Sequence, residues 1–301
     1  MTSEAGRAAN VAVIIPTWHG YDDTVECLES LQHVTYPNVQ TVVIENGSAN
    51  GDEHRLKQAF PEAHIIVNQT NQGFAHACNQ GIDWALDQRA GYILLLSNDT
   101  VVTPDFLTHL IDYLAATPEV GVVAPLITYY QSDRIWYAGG SLNLWTGRTR
   151  HAAIDQPLVN APTAPARTEF ATGCVLLARA SVIRDIGGLD DLMFTYFEDV
   201  DFCYRARRHG YEIAVVPEAI VAHKVSAVLG QRGTNKLRPG QAFYLGRNKV
   251  IFARKHLHGL QRAAFIASTA TLGLAEVLKR PAAWNSPISY MQGMFRGVWA
   301  A

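Results

Sequence analysis

Two short acidic motifs in this chain carry residue types suited to charged, oxygen-rich chemistry. The first, residues 96–100 (LSNDT), ends an apolar run, and the second, residues 196–201 (YFEDVD), opens a helical pattern. A carboxylate such as Asp99 is a hard oxygen ligand that suits Mg²⁺ or Mn²⁺. A carboxylate such as Asp199, or Glu198 before it, can accept a proton. The residue types therefore suit a metal-bound diphosphate at the first motif and a proton acceptor at the second.

Each motif also has an ordinary structural explanation, which the sequence leaves open. Asn-Asp-Thr followed by Pro104 suits a turn that leads into a helix. Acidic residues in the first turn of a helix, here predicted over 199–208, are common partners of the helix dipole. Asp199 and Asp201 diverge by ~200° around that helix, so they cannot both face one substrate, and Asp201 has Arg205 at i+4 as a surface partner.

Strands and helices alternate along most of the chain. The patterns predict strands at 11–17, 41–44, 64–67 and 92–96, and helices at 22–31 and after residue 73. Such alternation is typical of a mostly parallel, doubly wound sheet with helices on its faces. Open sheets of this class bind ligands where the strands end, and three of these strands end in small polar residues. We therefore expect the site at that edge.

Two common nucleotide signatures are absent from the sequence. No G-x-G-x-x-G follows the first strand, and no G-x-x-x-x-G-K occurs anywhere. These glycine-rich loops are the phosphate-binding elements of dinucleotide oxidoreductases and P-loop enzymes. The sequence therefore argues against both classes.

Taken together, the motifs resemble those of family 2 glycosyltransferases of the GT-A fold, especially the rhamnosyltransferase-like branch that builds bacterial surface polysaccharides. The resemblance covers roughly residues 11–250. Its carriers are residues 13–17 (VIIPT), 43–48 (VIENGS), 71–75 (NQGFA), 96–100 (LSNDT), 187–190 (GGLD), 197–201 (FEDVD) and 244–248 (YLGRN). It implies an α/β, Rossmann-like, mostly parallel sheet flanked by helices, with a C-terminal helical extension.

The resemblance also implies roles for individual residues. Asp199 matches the catalytic base, Asp99 and His223 match ligands of Mg²⁺ or Mn²⁺, and Asn98 stands within the metal motif. Arg247 and Asn248 match an element near the diphosphate or the acceptor. The residues that match positions around the nucleotide of the donor are Pro16, Thr17, Glu45, Ser48, Asn71, Gly73 and Asn79. Asn98, Arg247 and Asn248 are also expected to bind the nucleotide sugar.

Two positions depart from the family pattern. Ser97 stands where the metal motif has a leading Asp, and a single carboxylate makes metal binding depend more on the nucleotide's own phosphates. Glu45 stands where Asp is usual, and its longer arm changes how ribose or base is held. The identity of the nucleotide is therefore less well defined than the class of reaction.

The implied function is an inverting, metal-dependent transfer of a sugar from a nucleoside diphosphate donor, linked to dTDP or UDP. The first expectation is rhamnose from dTDP-rhamnose, moved to a polyprenyl-diphosphate-linked or polysaccharide acceptor in cell-surface glycan synthesis. One alternative is a catalytically silent protein that binds nucleotide sugars. Another is a sugar-1-phosphate nucleotidyltransferase, although residues 16–20 (PTWHG) lack its glycine-rich loop with a basic residue.

The formal net charge of −2 hides a strong asymmetry. Residues 1–218 hold 13 Lys and Arg against 26 Asp and Glu, whereas residues 219–301 hold 12 against one, Glu276. The basic part contains an apolar stretch, residues 263–278, which is either an ordinary packed helix or a helix on an anionic membrane surface. No nucleic-acid motif is recognised, so nucleic acid is not an expected partner.

The chain divides by pattern into a disordered N-terminus (1–10), a GT-A domain (11–225) and a basic helical extension (226–301). Residues 137–167, which are rich in Gly, Pro, Thr and Ala, are predicted to form a long loop near the acceptor. The four cysteines lack C-x-x-C spacing and residues 1–10 are polar. We therefore expect buried free thiols and a cytoplasmic protein that can associate peripherally with the inner face of the cell membrane.

Overall fold

A computed structural model describes residues 9–48, 50–225, 237–279 and 282–300. Its strands are β1 (Val11–Thr17), β2 (Val39–Asn46), β3 (His64–Asn68), β4 (Tyr92–Leu96), β5 (Thr100–Val102), β6 (Val120–Tyr129), β7 (Ile135–Tyr137), β8 (Gly140–Leu142), β9 (Thr149–His151), β10 (Ala166–Thr168), β11 (Val175–Arg179) and β12 (Glu212–His223). Its helices are α1 (Tyr21–Gln32), α2 (Asp52–Ala59), α3 (Phe74–Asp87), α4 (Phe106–Ala116), α5 (Ala180–Ile186), α6 (Glu198–Arg208), α7 (Pro239–His256), α8 (Gly259–Ser268), α9 (Leu274–Lys279) and α10 (Ser286–Trp299).

One large mixed sheet forms the centre of the molecule. Its order is β10-β12-β6-β11-β4-β1-β2-β3, with β5 beside β12 and β7 beside β6. The strands β4, β1, β2 and β3 are parallel, β6 and β12 are parallel, and β11 runs antiparallel between β4 and β6. All seven residues of β1 are buried, as expected for an apolar central strand. The predicted mostly parallel α/β sheet is confirmed.

The register of the parallel strands brings their polar ends together. Thr17 at the end of β1 pairs with Glu45 of β2, and Glu45 pairs in turn with Val67 of β3. Because successive residues rise by only about 3.3 Å, the segments that follow these strands begin at nearly the same height. The sheet therefore presents the predicted polar edge.

Residues 137–167 are more ordered than the predicted long loop. They include β8 and β9, which form a separate two-stranded sheet, and β10, which pairs with β12. The Tyr137 hydroxyl is fully buried and donates a hydrogen bond to the Phe170 carbonyl oxygen at 2.6 Å. Strands of three residues are too short to show a clear alternation in sequence, so the prediction of a loop was wrong here.

The C-terminal helices pack on the main domain rather than apart from it. Ile251 and Phe252 of α7 and Phe265 of α8 belong to the principal hydrophobic core. Helix α10 lies against α7, where a Cβ at Gly293 would collide with the Phe243 carbonyl. Within the described ranges, no helix has the length and apolarity needed to cross a membrane. The domain limits stay predictions, since residues 1–8 and 226–236 are outside the described residues.

Candidate active site

A cleft of about 510 Å³ opens where the parallel strands end. Its wall combines aromatic rings with small polar groups, a composition suited to a flat base and a sugar. The lining residues are Pro16, Thr17, Trp18, Asn46, Asn71, Phe74, Asn98, Phe194, Thr195, Tyr196, Gly240, Gln241 and Tyr244. Strand ends, the start of α3 and the start of α7 thus contribute to one cavity.

The loop before α6 has an unusual backbone. Phe194, Tyr196 and Phe197 have φ angles of 52°, 69° and 74°, in the left-handed region that non-glycine residues seldom adopt. Such residues cost about 1–3 kcal/mol each and persist where surrounding contacts hold them. One of those contacts is at Gly73, where an added Cβ would collide with the Phe194 ring. Gly73 therefore permits the loop to close against the start of α3.

The side chain of Asn248 holds this loop from the other side. Asn248 is fully buried, and its Nδ2 donates to the carbonyl oxygens of Met193, Thr195 and Tyr196 at 2.6–2.8 Å. Arg247 next to it donates to the Leu192 carbonyl oxygen at 2.5 Å. The family element predicted near the diphosphate or acceptor thus contacts the protein's own backbone and shapes the cleft.

Asn248→Ala is expected to disorder this loop. The change leaves three carbonyl groups, one buried and two partly buried, without their donor, which we expect to lower the free energy of unfolding by about 2 kcal/mol. Because Phe194 and Tyr196 line the cleft, nucleotide affinity should fall as well. Thermal unfolding and calorimetric titration measure the two effects. Asn160→Ala, the same change at an exposed position, is the control, and equal behaviour of both variants would contradict this role.

The predicted nucleotide-binding residues divide into two groups. Pro16, Thr17, Asn71 and Asn98 line the cleft, and Gly73 adjoins it. The other side chains bond within the protein. Glu45 accepts hydrogen bonds from the backbone N–H and the hydroxyl of Ser48, so its carboxylate stabilises the turn after β2. Asn79 donates to the Leu189 carbonyl oxygen at 2.8 Å and to Asp191 at 2.7 Å, tying α3 to the segment before α6.

Asp99 and His223 lie together, as the sequence predicted for a metal pair. The Oδ1 of Asp99 is 3.2 Å from the Nε2 of His223, and both side chains are nearly buried. Burial opposes protonation of His223, but the neighbouring Cys174 and Asp99 raise its pKa well above the ordinary value. The Nδ1 of His223 has no hydrogen-bond partner among the described residues.

This pair fits a divalent cation only with help from a ligand. Within the described ranges, no group of three or more His, Cys, Asp or Glu residues could hold a metal ion. Mg²⁺ and Mn²⁺ accept one or two protein ligands when substrate phosphates and water complete the shell. One carboxylate and one imidazole in contact are therefore a sufficient donor set for a nucleotide-dependent site.

Asp199 and Glu198 start α6 in different surroundings. Asp199 accepts hydrogen bonds from the backbone N–H groups of Gly173 and Val200, at 2.8 and 2.7 Å. Burial raises its pKa, although these two hydrogen bonds oppose the effect. Glu198 is 5% exposed, its Oε2 has no partner within the described part of the chain, and burial followed by the Asp199 charge raises its pKa well above the ordinary value. Asp199 is thus the better positioned carboxylate.

The segment that follows Phe170 connects the base to the metal pair. Gly173 donates to Asp199, while the thiol of the next residue, Cys174, lies beside His223. Consecutive Cα atoms are about 3.8 Å apart, so the two candidate centres contact adjacent residues of one short segment. Burial raises the pKa of the Tyr196 phenol to about 12, and charges on Glu198 and Asp99 contribute. Tyr196 itself lies on the cleft wall.

The sequence analysis assigned no role to Phe194 and Tyr244, two aromatic residues of the cleft wall. Phe194 and Tyr244 stack with ring centroids 4.7 Å apart and planes 10° apart, although they are 50 positions apart in sequence. Tyr244 belongs to the YLGRN motif, which was the one available signal. Asp201, predicted to pair with Arg205 at the surface, does bond Arg205 at 2.7 Å but is fully buried and also contacts His256 at 2.6 Å. All four cysteines are free and buried, as expected.

Solved structures of the same architecture are glycosyltransferases of the GT-A fold. The structure of GalNAc-T7, solved with UDP, GalNAc and Mn²⁺, matches this chain with a TM-score of 0.67 and 15% sequence identity. The match covers 97% of this chain and 55% of the GalNAc-T7 chain. A mannosyltransferase from Pyrobaculum calidifontis, solved with GDP-Man and Mn²⁺, has a TM-score of 0.60 and 14% identity, covering 98% and 88%. The protein therefore has the GT-A fold.

Comparison of sequences defines the family. The model of glycosyl transferase family 2 matches residues 12–184, more than half of the chain, so this protein belongs to that family and is a glycosyltransferase. An N-acetylglucosaminyl-diphospho-decaprenol L-rhamnosyltransferase of Mycobacterium tuberculosis is 27% identical over 217 residues, or 65% of this chain and 70% of the relative. For the first curated relatives, the matched part ranges from 26% to 70% of their length.

Proposed function

We propose that this glycosyltransferase transfers the sugar with inversion of configuration at the anomeric carbon of its donor, and that Asp199 is the catalytic base. The observation that carries the proposal is the connection through residues 172–174, which sets Asp199 close to the Asp99–His223 pair beside one cleft. A direct displacement needs a proton acceptor near the incoming hydroxyl and charge neutralisation at the departing diphosphate. Asp199, on one side of this short segment, supplies the proton acceptor. The Asp99–His223 pair, on the other side, would hold the cation that neutralises the charge.

In the proposed step, the acceptor oxygen forms a bond to the anomeric carbon as the bond to the diphosphate oxygen breaks. The acceptor proton moves to Asp199, and the electron pair of the broken bond stays on the nucleoside diphosphate. A bound Mg²⁺ or Mn²⁺ would neutralise the charge that develops there. Asp99 and His223 would hold that cation. Asn98 would keep its loop against β1 and α1 through hydrogen bonds to Thr17 and Thr24.

For the donor we propose dTDP-rhamnose, with a UDP-sugar as the second candidate. The support is the 27% identity to a relative named as a rhamnosyltransferase. That relative's name contains a diphospho-decaprenol acceptor, and for this chain we propose a polyprenyl-diphosphate-linked or polysaccharide acceptor hydroxyl. Membership of family 2 argues against the nucleotidyltransferase alternative. The predicted cytoplasmic location stays a prediction.

Calorimetric titration with dTDP, UDP and GDP, each with and without Mn²⁺, tests the site. We expect one nucleotide to bind at least about tenfold more tightly in the presence of Mn²⁺, because its diphosphate completes the metal shell. Transfer from the matching nucleotide sugar, followed by release of that nucleoside diphosphate, then separates an enzyme from a silent binding protein. Absence of binding by all three nucleotides would overturn the proposed site.

A further inference from the structure

The outer face of α10 carries a continuous apolar stripe that the rest of the described chain does not cover. Its members are 42–73% exposed: Ile288, Met291, Phe295, Val298 and Trp299. They recur at intervals of three and four residues, with Trp299 directly after Val298. At ~100° per residue these side chains occupy an arc of roughly 100°. Single exposed apolar residues are common, but five on one helix face are a surface that selects a partner.

This stripe is separate from the face that α10 uses for packing. Tyr290, Gly293, Met294 and Gly297 are buried. These residues point roughly 140° away from the stripe. A Cβ at Gly297 would collide with the Arg247 carbonyl, so this inner face meets α7 closely. The contacts that hold α10 in place therefore leave its apolar outer face unused.

The surroundings of the stripe are basic and carry aromatic residues. The sole charge on α10 is Arg296, and Lys279 at the end of α9 and Arg262 on α8 are also exposed, with no ion pair among the described residues. Glu276, the one acidic residue after position 218, already pairs with Arg148 at 2.9 Å. Trp284, which precedes α10, is 84% exposed. An amphipathic helix with apolar and aromatic residues on one face and cations around it is typical of binding to anionic lipid.

We propose that α10 docks this protein on an anionic lipid bilayer through the stripe from Ile288 to Trp299. The choice of lipid over a protein partner rests on the charge: Arg296 on α10 and Lys279 on α9 are exposed cations with no ion pair in the described part of the chain, and they complement an anionic headgroup layer. The sequence alone had pointed to residues 263–278, and not to α10, as the candidate segment for contact with an anionic membrane surface. In that stretch Phe265 and Val277 are buried, so its apolar side chains are partly used inside the protein.

The position of α10 relates the docking surface to the cleft. Helix α7 contributes Gln241 and Tyr244 to the cleft wall, and its Gly246 lies against the Tyr290 carbonyl of α10. Packed helices are about 8–10 Å apart, so one helix layer separates the stripe from that wall. A bilayer under α10 would thus bring membrane-anchored molecules close to the cleft, although lipid binding itself does not depend on the proposed function.

Flotation with vesicles tests the proposal on the full chain. We expect the protein to float with phosphatidylcholine vesicles that contain phosphatidylglycerol, to bind neutral vesicles much less, and to lose binding as salt screens the charges. Phe295→Gln should lower the partition coefficient by about tenfold, and Ile288→Gln with Phe295→Gln should abolish flotation. Val159→Gln, at another exposed apolar position outside the C-terminal helices, is the matched control and should leave binding unchanged.

A second variant separates charge from apolar contact. Lys279→Gln with Arg296→Gln should weaken binding to anionic vesicles and leave the weak binding to neutral vesicles unaltered. Circular dichroism of each variant verifies the fold, which exposed substitutions should preserve. Failure of the wild type to bind anionic vesicles would overturn the proposal. Self-association that Phe295→Gln removes, without vesicle binding, would also overturn it and assign the stripe to a second copy of the chain.

Discussion

Asp199→Asn is expected to lower the kcat of sugar transfer by about a thousandfold while nucleotide binding stays nearly intact. General-base catalysis typically contributes a factor of 10²–10⁴, and an amide cannot accept the acceptor proton. The Asp199 carboxylate is held in position because each of its oxygens accepts a hydrogen bond from a backbone N–H group. Each oxygen keeps a further lone pair that can accept the substrate proton. Initial rates at saturating donor measure the loss, and calorimetry with the selected nucleotide verifies that the cleft remains formed.

Glu198→Gln is the matched comparison for this variant. Burial and the Asp199 charge raise the pKa of Glu198 well above its ordinary value, so the native side chain favours the neutral form that Gln mimics. We expect this variant to retain most of the transfer activity. The opposite pattern, in which Glu198→Gln abolishes transfer and Asp199→Asn does not, would assign the base to Glu198.

Asp99→Asn is expected to remove the Mn²⁺-dependent part of nucleotide affinity and, with it, transfer. Asp99 supplies the one carboxylate of the candidate metal pair, whereas an amide oxygen carries no charge. Mutation of a residue that only orients a metal ligand typically lowers metal affinity or activity by about 10–100-fold. For a direct ligand we therefore expect the Mn²⁺-dependent nucleotide affinity to decrease by about a hundredfold or more. Calorimetry with and without Mn²⁺ measures this decrease.

The chain offers a close control for that experiment. Asp105 and His109 form another Asp–His contact at 3.2 Å, exposed at the start of α4. Asp105→Asn makes the same chemical change outside the cleft and should leave metal-dependent binding unaltered. If Asp99→Asn binds nucleotide with an undiminished Mn²⁺ effect, Asp99 does not hold the metal.

The sequence predicted the four parallel strands β1 to β4 well because these strands are short, largely apolar runs. Residues 92–96 (YILLL) were expected as a buried strand and form β4, and the strand expected at 64–67 forms β3 with one further residue. Polar residues directly after such runs have to lie at the same edge of a parallel sheet. Pro16, Thr17, Asn71 and Asn98, which the family resemblance linked to the donor and to the metal motif, therefore meet in one cleft.

The sequence by itself determined the class of fold, the family and the identity of the acidic residues beside the cleft. The tertiary structure decided how those residues are used, because contacts between distant segments leave no periodic signal. Asn248 shapes a loop 52–55 positions away, and Glu45 and Asn79 bond within the protein. Which apolar side chains are exposed also depends on tertiary packing. Helix α7 covers one face of α10 and leaves the opposite face open, so the apolar stripe of α10 could be recognised only in the structure.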